Sequence, residues 1–299
     1  MPASRNLSEM APPTFDLQAH SVASDGALEA AEVVSRAHGA GVELLALTDH
    51  DTVAGVDEAL EVAAATGGEI TVVPAVEISA VDGEREDLHV LGYGIDHHAP
   101  AFTAHLAAWR EDRLARGERM AEAMRELGWH VELPERAADP GKPLGRPHLA
   151  QAIYDDPRNA QRIADENLGD FSELLVAYLI PGTPGYRRRT TPDVGEAIAA
   201  IHEAGGLAVW AHPFWDIDSP GEVREALERY AALELDGVEA FYPTHDAGHA
   251  AQLAADAAGL GLLTTGSADF HGPDHPQFSE FRAFELHGIE PNLGAVDPR

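Results

Sequence analysis

The sequence predicts an α/β fold from three observations: seven short apolar runs, alanine-rich amphipathic stretches between several of them, and one long break in that alternation. The runs are FDLQAH from Phe15, VELLALT from Val42, ITVVPAVE from Ile70, LHVLGYG from Leu88, LAVWAH from Leu207, GVEAFY from Gly237 and LGLLTTG from Leu260. Each is bounded by Gly, Pro or a polar cluster, as buried strands are. GALEAAEVVSRAHGAG, VDEALEVAAATGG, DVGEAIAAIHEAGG and DAGHAAQLAADAAGLG have helical spacing and end in glycine caps. Alternating strand and helix argues for parallel strands.

The alternation breaks between the fourth and fifth runs. Residues 98–191 supply a long charged helix, AFTAHLAAWREDRLARGERMAEAMRELG, and then a region rich in proline and arginine. We read them as an inserted, mostly helical subdomain covering the active site. The flanking segments 14–97 and 192–290 then form one discontinuous domain.

Composition narrows the function. With 51 acidic residues against 20 basic ones the formal net charge is −31, so duplex DNA and anionic membranes are disfavoured partners. Small anionic ligands remain open where positive charge clusters locally. No apolar stretch approaches the roughly 18 residues of a membrane span. The first residues lack a signal peptide's basic start and apolar centre, so a cytoplasmic protein is expected. Cysteine is absent, which excludes disulfides and thiolate ligands. The one lysine, Lys142, lies in PGKPLG, outside any phosphate-binding loop motif.

The chemistry gathers where the runs end. The first gives Gln18, His20 and, past a turn, Asp25; the second gives Asp49, His50 and Asp51. The third ends in Glu77 and the fourth contains His89. Then come His212, Glu239 with His245, and finally Asp269 with His271. Any one of the 16 histidines is more often a surface or core residue, and His38, His97, His98, His105, His130, His202, His275 and His287 are read that way. Repeated placement at strand ends is different. In a parallel barrel those ends assemble the active site, and imidazoles with carboxylates suit Zn, Mn or Fe.

DLQAHSVASDG, ALTDHDTVAG, VPAVEIS, LHVLGYG, GRPHLA, AHP and GSADFHG together resemble the polymerase and histidinol phosphatase (PHP) family of metal-dependent phosphoesterases. The resemblance runs from about Phe15 to Gly272, less closely in the insertion. It implies a distorted (β/α)7, TIM-like barrel and a centre of two or three divalent ions. It implies a first site of His20, Glu77 and Asp269, with Gln18 where the family usually has histidine. A second site would be Asp25, His50 and His271, and a third Glu77, His89 and His212, so that Glu77 bridges. Asp49 matches a family acid beside the site.

The implied reaction is hydrolysis of small phosphomonoesters by a hydroxide held between metals, which lower the pKa of bound water. Nucleoside 3′,5′-bisphosphates or the 5′ ends of short RNA are the expected substrates, with histidinol phosphate as the alternative. Arg146 and His148 match a family segment that reaches the phosphate, for which a planar guanidinium is suited. Arg187, Arg188 and Arg189 could grip a second phosphate, and His245 is a candidate acid for the leaving oxygen. Two rivals are a C–N hydrolase of the amidohydrolase type and a non-catalytic metal-binding regulatory module. The first often bridges its metals with a carbamylated strand lysine, which this chain lacks.

Overall fold

The computed structural model describes residues 12–83, 85–133 and 145–299, so Lys142 lies outside the described residues. It divides into two compact units, Met1–Thr103 with Pro192–Arg299, and Ala104–Thr191.

The first unit is built on seven strands: β1 (Phe15–Asp16), β2 (Leu44–Leu47), β3 (Thr71–Asp82), β4 (Arg85–Tyr93), β5 (Leu207–Trp210), β6 (Gly237–Phe241) and β7 (Leu263–Gly266). They neighbour one another in sequence order. The sheet bends until its edges meet: Leu17 donates to the carbonyl of Gly266 at 3.2 Å, and Ala19 bridges Phe270 in parallel. A nearly closed barrel results.

Not every strand is parallel. β4 runs antiparallel to both β3 and β5, contrary to the expectation drawn from alternation. Asp82 pairs with Arg85, so β3 turns straight into β4 and leaves no room for a crossover helix. Apolar patterning reports burial and carries no strand direction. Two boundaries also differ. β1 keeps only two ladder residues, and Leu260 belongs to a helix rather than to β7.

Helices α1 (Ala30–Gly39) and α2 (Val56–Ala65) follow β1 and β2. Val33, Val34 and Ala37 of α1, Ala59 and Ala63 of α2, and Leu45 and Leu47 of β2 form one buried cluster. Each of the valines and leucines contributes about 1.5–3 kcal/mol on leaving water. α3 (Pro100–Glu126) runs from the first unit into the second, which also holds α4 (Arg146–Asp155), α5 (Ala160–Asp165) and α6 (Phe171–Tyr178). Its own core includes Met120, Met124, Trp129, Leu149, Ile153 and Leu174.

The chain re-enters the first unit through α7 (Val194–Glu203), where Asp193 and Glu196 form a reciprocal cap. α8 (Pro213–Asp216), α9 (Pro220–Ala231) and α10 (Ala247–Leu260) complete it. α10 ends at Gly261 in the left-handed conformation, φ 74°, as its glycine cap requires. Among the described residues no helix is long and apolar enough to cross a membrane.

Candidate metal centre

Past β1, Ala19 makes a parallel bridge to Phe270, so the side chains of Gln18 and His20 on either side of it share a face. The chain then reverses: Ser24 and Gly26 donate to the carbonyl of Ser21 at 3.1 and 2.9 Å. A Cβ on Gly26 would fall on the His20 carbonyl, so only glycine fits there. Asp49, at the end of β2, locks this turn by accepting from Ser21 N, Ser21 Oγ and Ser24 Oγ at 2.8, 2.7 and 2.6 Å. The turn presents Asp25, 36% exposed, with Oδ1 3.6 Å from His20 Nδ1 and Oδ2 3.5 Å from His50 Nε2. Asp51 holds the next segment by accepting from the backbone and hydroxyl of Ser79.

Glu77 stands at the middle of the cluster, fully buried. Its Oε2 faces His20 Nε2 at 3.1 Å and His50 Nδ1 at 3.4 Å. Its Oε1 faces His89 Nδ1 at 2.7 Å and His212 Nε2 at 3.2 Å. His89 reaches the cluster from the middle of β4, which runs antiparallel to its neighbours. Asp269 closes the group, its Oδ1 3.1 Å from His20 Nε2 and 3.6 Å from His271 Nδ1.

His212 and Asp269 have φ values of 27° and 55°, in a region that costs a non-glycine residue about 1–3 kcal/mol. The surroundings hold them there. Glu239 accepts the His212 N–H at 2.9 Å with one oxygen and the Ser267 hydroxyl at 2.6 Å with the other. Tyr242 donates to Asp269 Oδ2 at 2.7 Å, and Asp16 accepts the Ala268 N–H at 2.8 Å. Sequence reasoning passed over Tyr242, Ser267 and Asp16, and it named Glu239 without a role. A strand-end acid was the available signal for Glu239; the others matter only through partners far away in sequence.

Among the described residues, three groups at the strand ends have donor atoms that lie within 4.8 Å of one another: His20, Glu77 and Asp269; His20, Asp25, His50 and His271; and His50, Glu77 and His89. His212 adjoins the last, 3.3 Å from His89. Both His20 nitrogens, His50 Nδ1, Glu77 Oε2 and Asp269 Oδ1 are buried without a hydrogen bond. Orphaned polar atoms are costly, and cations are their natural partners here.

The electrostatics agree. Burial opposes ionisation of Glu77, yet His50 and His89 hold its carboxyl well below the usual range. Burial likewise opposes ionisation of Asp269, but His20 and His271 bring it down to about 2. Burial disfavours a charged His212, and Glu77 nevertheless raises it to about 9. The carboxylates thus draw protons onto His20, His89 and His212, while burial holds His50 down; a metal binding those nitrogens displaces such protons. The donor set fits divalent metals.

Gln18 is buried; its Oε1 lies 3.4 Å from Ser267 Oγ and its Nε2 makes no hydrogen bond. His245 lines a cavity of about 400 Å³ with Tyr242, Arg282, Phe284, Glu285 and His287. Burial pushes His245 down to about 4. His275, read as background, lies with its ring 5.2 Å from that of His271. Arg146 and His148 lie in the second unit, in the first turn of α4, where His148 Nδ1 accepts the Gly145 N–H at 3.0 Å. Arg189 of the arginine run is buried, with Nε on the Thr191 carbonyl at 3.1 Å, so this residue is no solvated face.

A near-closed seven-stranded barrel with imidazoles and carboxylates converging from its strands defines a metal-centred barrel protein. The chain belongs to the PHP domain family, whose model matches residues 16–174. A 3′,5′-nucleoside bisphosphate phosphatase of Chromobacterium violaceum is 34% identical, covering 87% of each chain. A phosphoribosyl 1,2-cyclic phosphate 1,2-diphosphodiesterase of Eggerthella lenta is 33% identical over 86% of this chain and 94% of its own. A 5′-3′ exoribonuclease of Haemophilus influenzae is 33% identical over 87% and 90%. Among solved structures, one from Chromobacterium violaceum described as an amidohydrolase with bound sulfate superposes with TM-score 0.72 at 31% identity, covering 90% of this chain and 91% of that one. One from Bifidobacterium adolescentis, described as a metal-dependent phosphoesterase, gives 0.69 at 29% identity over 89% and 91%.

Proposed function

We propose that this chain hydrolyses small phosphomonoesters in the cytoplasm, with nucleoside 3′,5′-bisphosphates foremost and the 5′ ends of short RNA next. That it is a hydrolase of phosphate esters acting with divalent metal follows from its family. The observation that carries the reading is Glu77, whose two oxygens serve two different imidazole pairs. A carboxylate so placed suits adjacent cations, whose mutual repulsion its charge offsets.

Two or three ions, Mn, Fe or Zn, would be held by His20, Glu77 and Asp269, by Asp25, His50 and His271, and by Glu77, His89 and His212. When bound, they supply Lewis-acid charge for the phosphoryl oxygens and acidify water. The chain's own groups do the rest. Asp49 and Tyr242 position Asp25 and Asp269, and Arg146 and His148 are the residues proposed to bind the phosphate. His245, neutral near pH 7, orients the leaving group more readily than it protonates it. Trp215, 49% exposed, offers the base a stacking face, its ring 5.8 Å from Phe278, which lies 5.6 Å from His271.

Gln18 completes the first site once its amide is turned. The single Ser267 proton goes to Glu239 Oε1 at 2.6 Å. The Gln18 NH2 then donates to Ser267 Oγ, and the amide oxygen takes the position where Nε2 lacks a partner.

Phosphate release from 3′,5′-bisphosphates, 5′-phosphorylated oligoribonucleotides, a phosphoribosyl cyclic phosphate and histidinol phosphate tests the assignment. Fastest turnover of the bisphosphate supports it. Preference for histidinol phosphate would replace the substrate class, and a metal-loaded protein inactive on all four would favour the regulatory module.

A further inference from the structure

We propose that Asp57, His97 and His98 form a peripheral binding site for one divalent transition-metal ion. The site shares no residue with the three donor groups at the strand ends. Asp57 is the second residue of α2, and the two histidines occupy the turn between β4 and α3.

That turn is firmly built. Asp96 donates its N–H to the Ala204 carbonyl at 2.8 Å, while its own carbonyl accepts from Ala99 at 3.0 Å. Its Oδ1 accepts the His98 N–H at 3.1 Å. In extended chain, successive side chains point apart. Here the rings of two successive residues lie 4.1 Å apart, with planes 39° apart. Both direct Nε2 at one oxygen: Asp57 Oδ1 is 2.9 Å from His97 and 3.2 Å from His98.

These spacings suit an ion. Tetrahedral bonds of about 2.0–2.1 Å place ligand atoms about 3.3–3.4 Å apart, close to both Asp57 distances, and the three donor atoms all lie within 4.8 Å of one another. His97 is packed, with its side chain 11% exposed, whereas His98 and Asp57 are 67% and 63% exposed. The fourth position therefore opens to solvent. Two imidazole nitrogens and one carboxylate oxygen favour Zn, Co, Ni or Cu over Mg or Ca. The surplus of acidic residues concentrates such cations at the surface. An ion here clips the start of α2 to the segment entering α3, a structural task remote from phosphate chemistry.

The test is equilibrium dialysis of Zn2+ against the intact protein, His98→Ala and Asp57→Asn. Both exposed substitutions spare the packed His97, and coincident melting curves of the metal-free proteins verify their fold. The expected result is one bound equivalent fewer in each variant than in the wild type, with unchanged phosphate release at saturating Mn2+. Equal stoichiometry in all three proteins overturns the site. Loss of activity in step with the lost equivalent overturns its separateness from the main centre.

Discussion

Tyr242 donates its hydroxyl to Asp269 Oδ2 at 2.7 Å and leaves Oδ1 facing His20 Nε2 at 3.1 Å. One hydrogen bond thus decides which carboxylate oxygen is free for a cation. Removing an outer partner of a metal ligand typically costs about 10–100-fold in metal affinity or activity. Tyr242→Phe should lose metal to a chelator at correspondingly lower concentrations while remaining folded. Unaltered chelator resistance would detach Tyr242 from the centre.

Glu77→Gln should be more damaging than replacement of any single histidine. The amide keeps the shape but removes the charge that two imidazole pairs share. We expect loss of at least one bound metal and a fall in kcat of a hundredfold or more, roughly 2.7 kcal/mol. Metal analysis beside steady-state kinetics checks this. Full occupancy with full activity would refute the bridging role.

Gln18→His should tighten one ion, because imidazole nitrogen is a stronger donor than amide oxygen for most transition metals. In the wild type the first site should release its ion first and tolerate Mn. Titration with a chelator would show one equivalent shifting to greater resistance in the variant. The same profile in both proteins would take Gln18 out of the ligand shell. Turnover need not rise, since tighter retention is a different property from catalysis.

On the substrate side, Arg146→Ala and Trp215→Ala should separate. Arg146→Ala should lower kcat/KM for every phosphomonoester about 10–100-fold, or about 1.4–2.8 kcal/mol, and spare metal content. Trp215→Ala should raise KM for nucleotides alone, since base stacking is worth about 1–3 kcal/mol and a sugar phosphate has no base to stack. Parallel losses on both substrate types would remove the stacking role.

The barrel was legible because buried strands show as apolar runs with sharp boundaries, and His20, His50 and His212 stand where those runs stop. The direction of β4 was not, since LHVLGYG reads alike whichever way the strand runs; Asp82 pairing with Arg85 is what fixes it. Glu239 and Tyr242 sit in a strand end that looks ordinary, GVEAFY. Their meaning comes from His212, Ser267 and Asp269, which only the closed barrel brings to them. Asp25 was legible in the motif DLQAHSVASDG, but the hold of Asp49 on the turn of Ser21 to Gly26 was not, because those partners lie 25 to 28 residues apart.

The barrel seam sets an order of events at the ribosome. Asp16 accepts the N–H of Ala268, 252 residues later, and that of Arg282, 266 residues later. Contacts so distant in sequence form slowly, because loop closure must come first. At synthesis rates of about 5–20 residues per second, the first strand waits roughly 12–50 seconds for its last partner to emerge. Until then β1 is an unprotected edge, open to pairing with another nascent chain. The metal centre is assembled from both ends of the same chain, with His20 and Asp25 near one end and Asp269 and His271 near the other. Metal loading is therefore a late event, and a chain stalled before β7 has no complete first or second donor group to load.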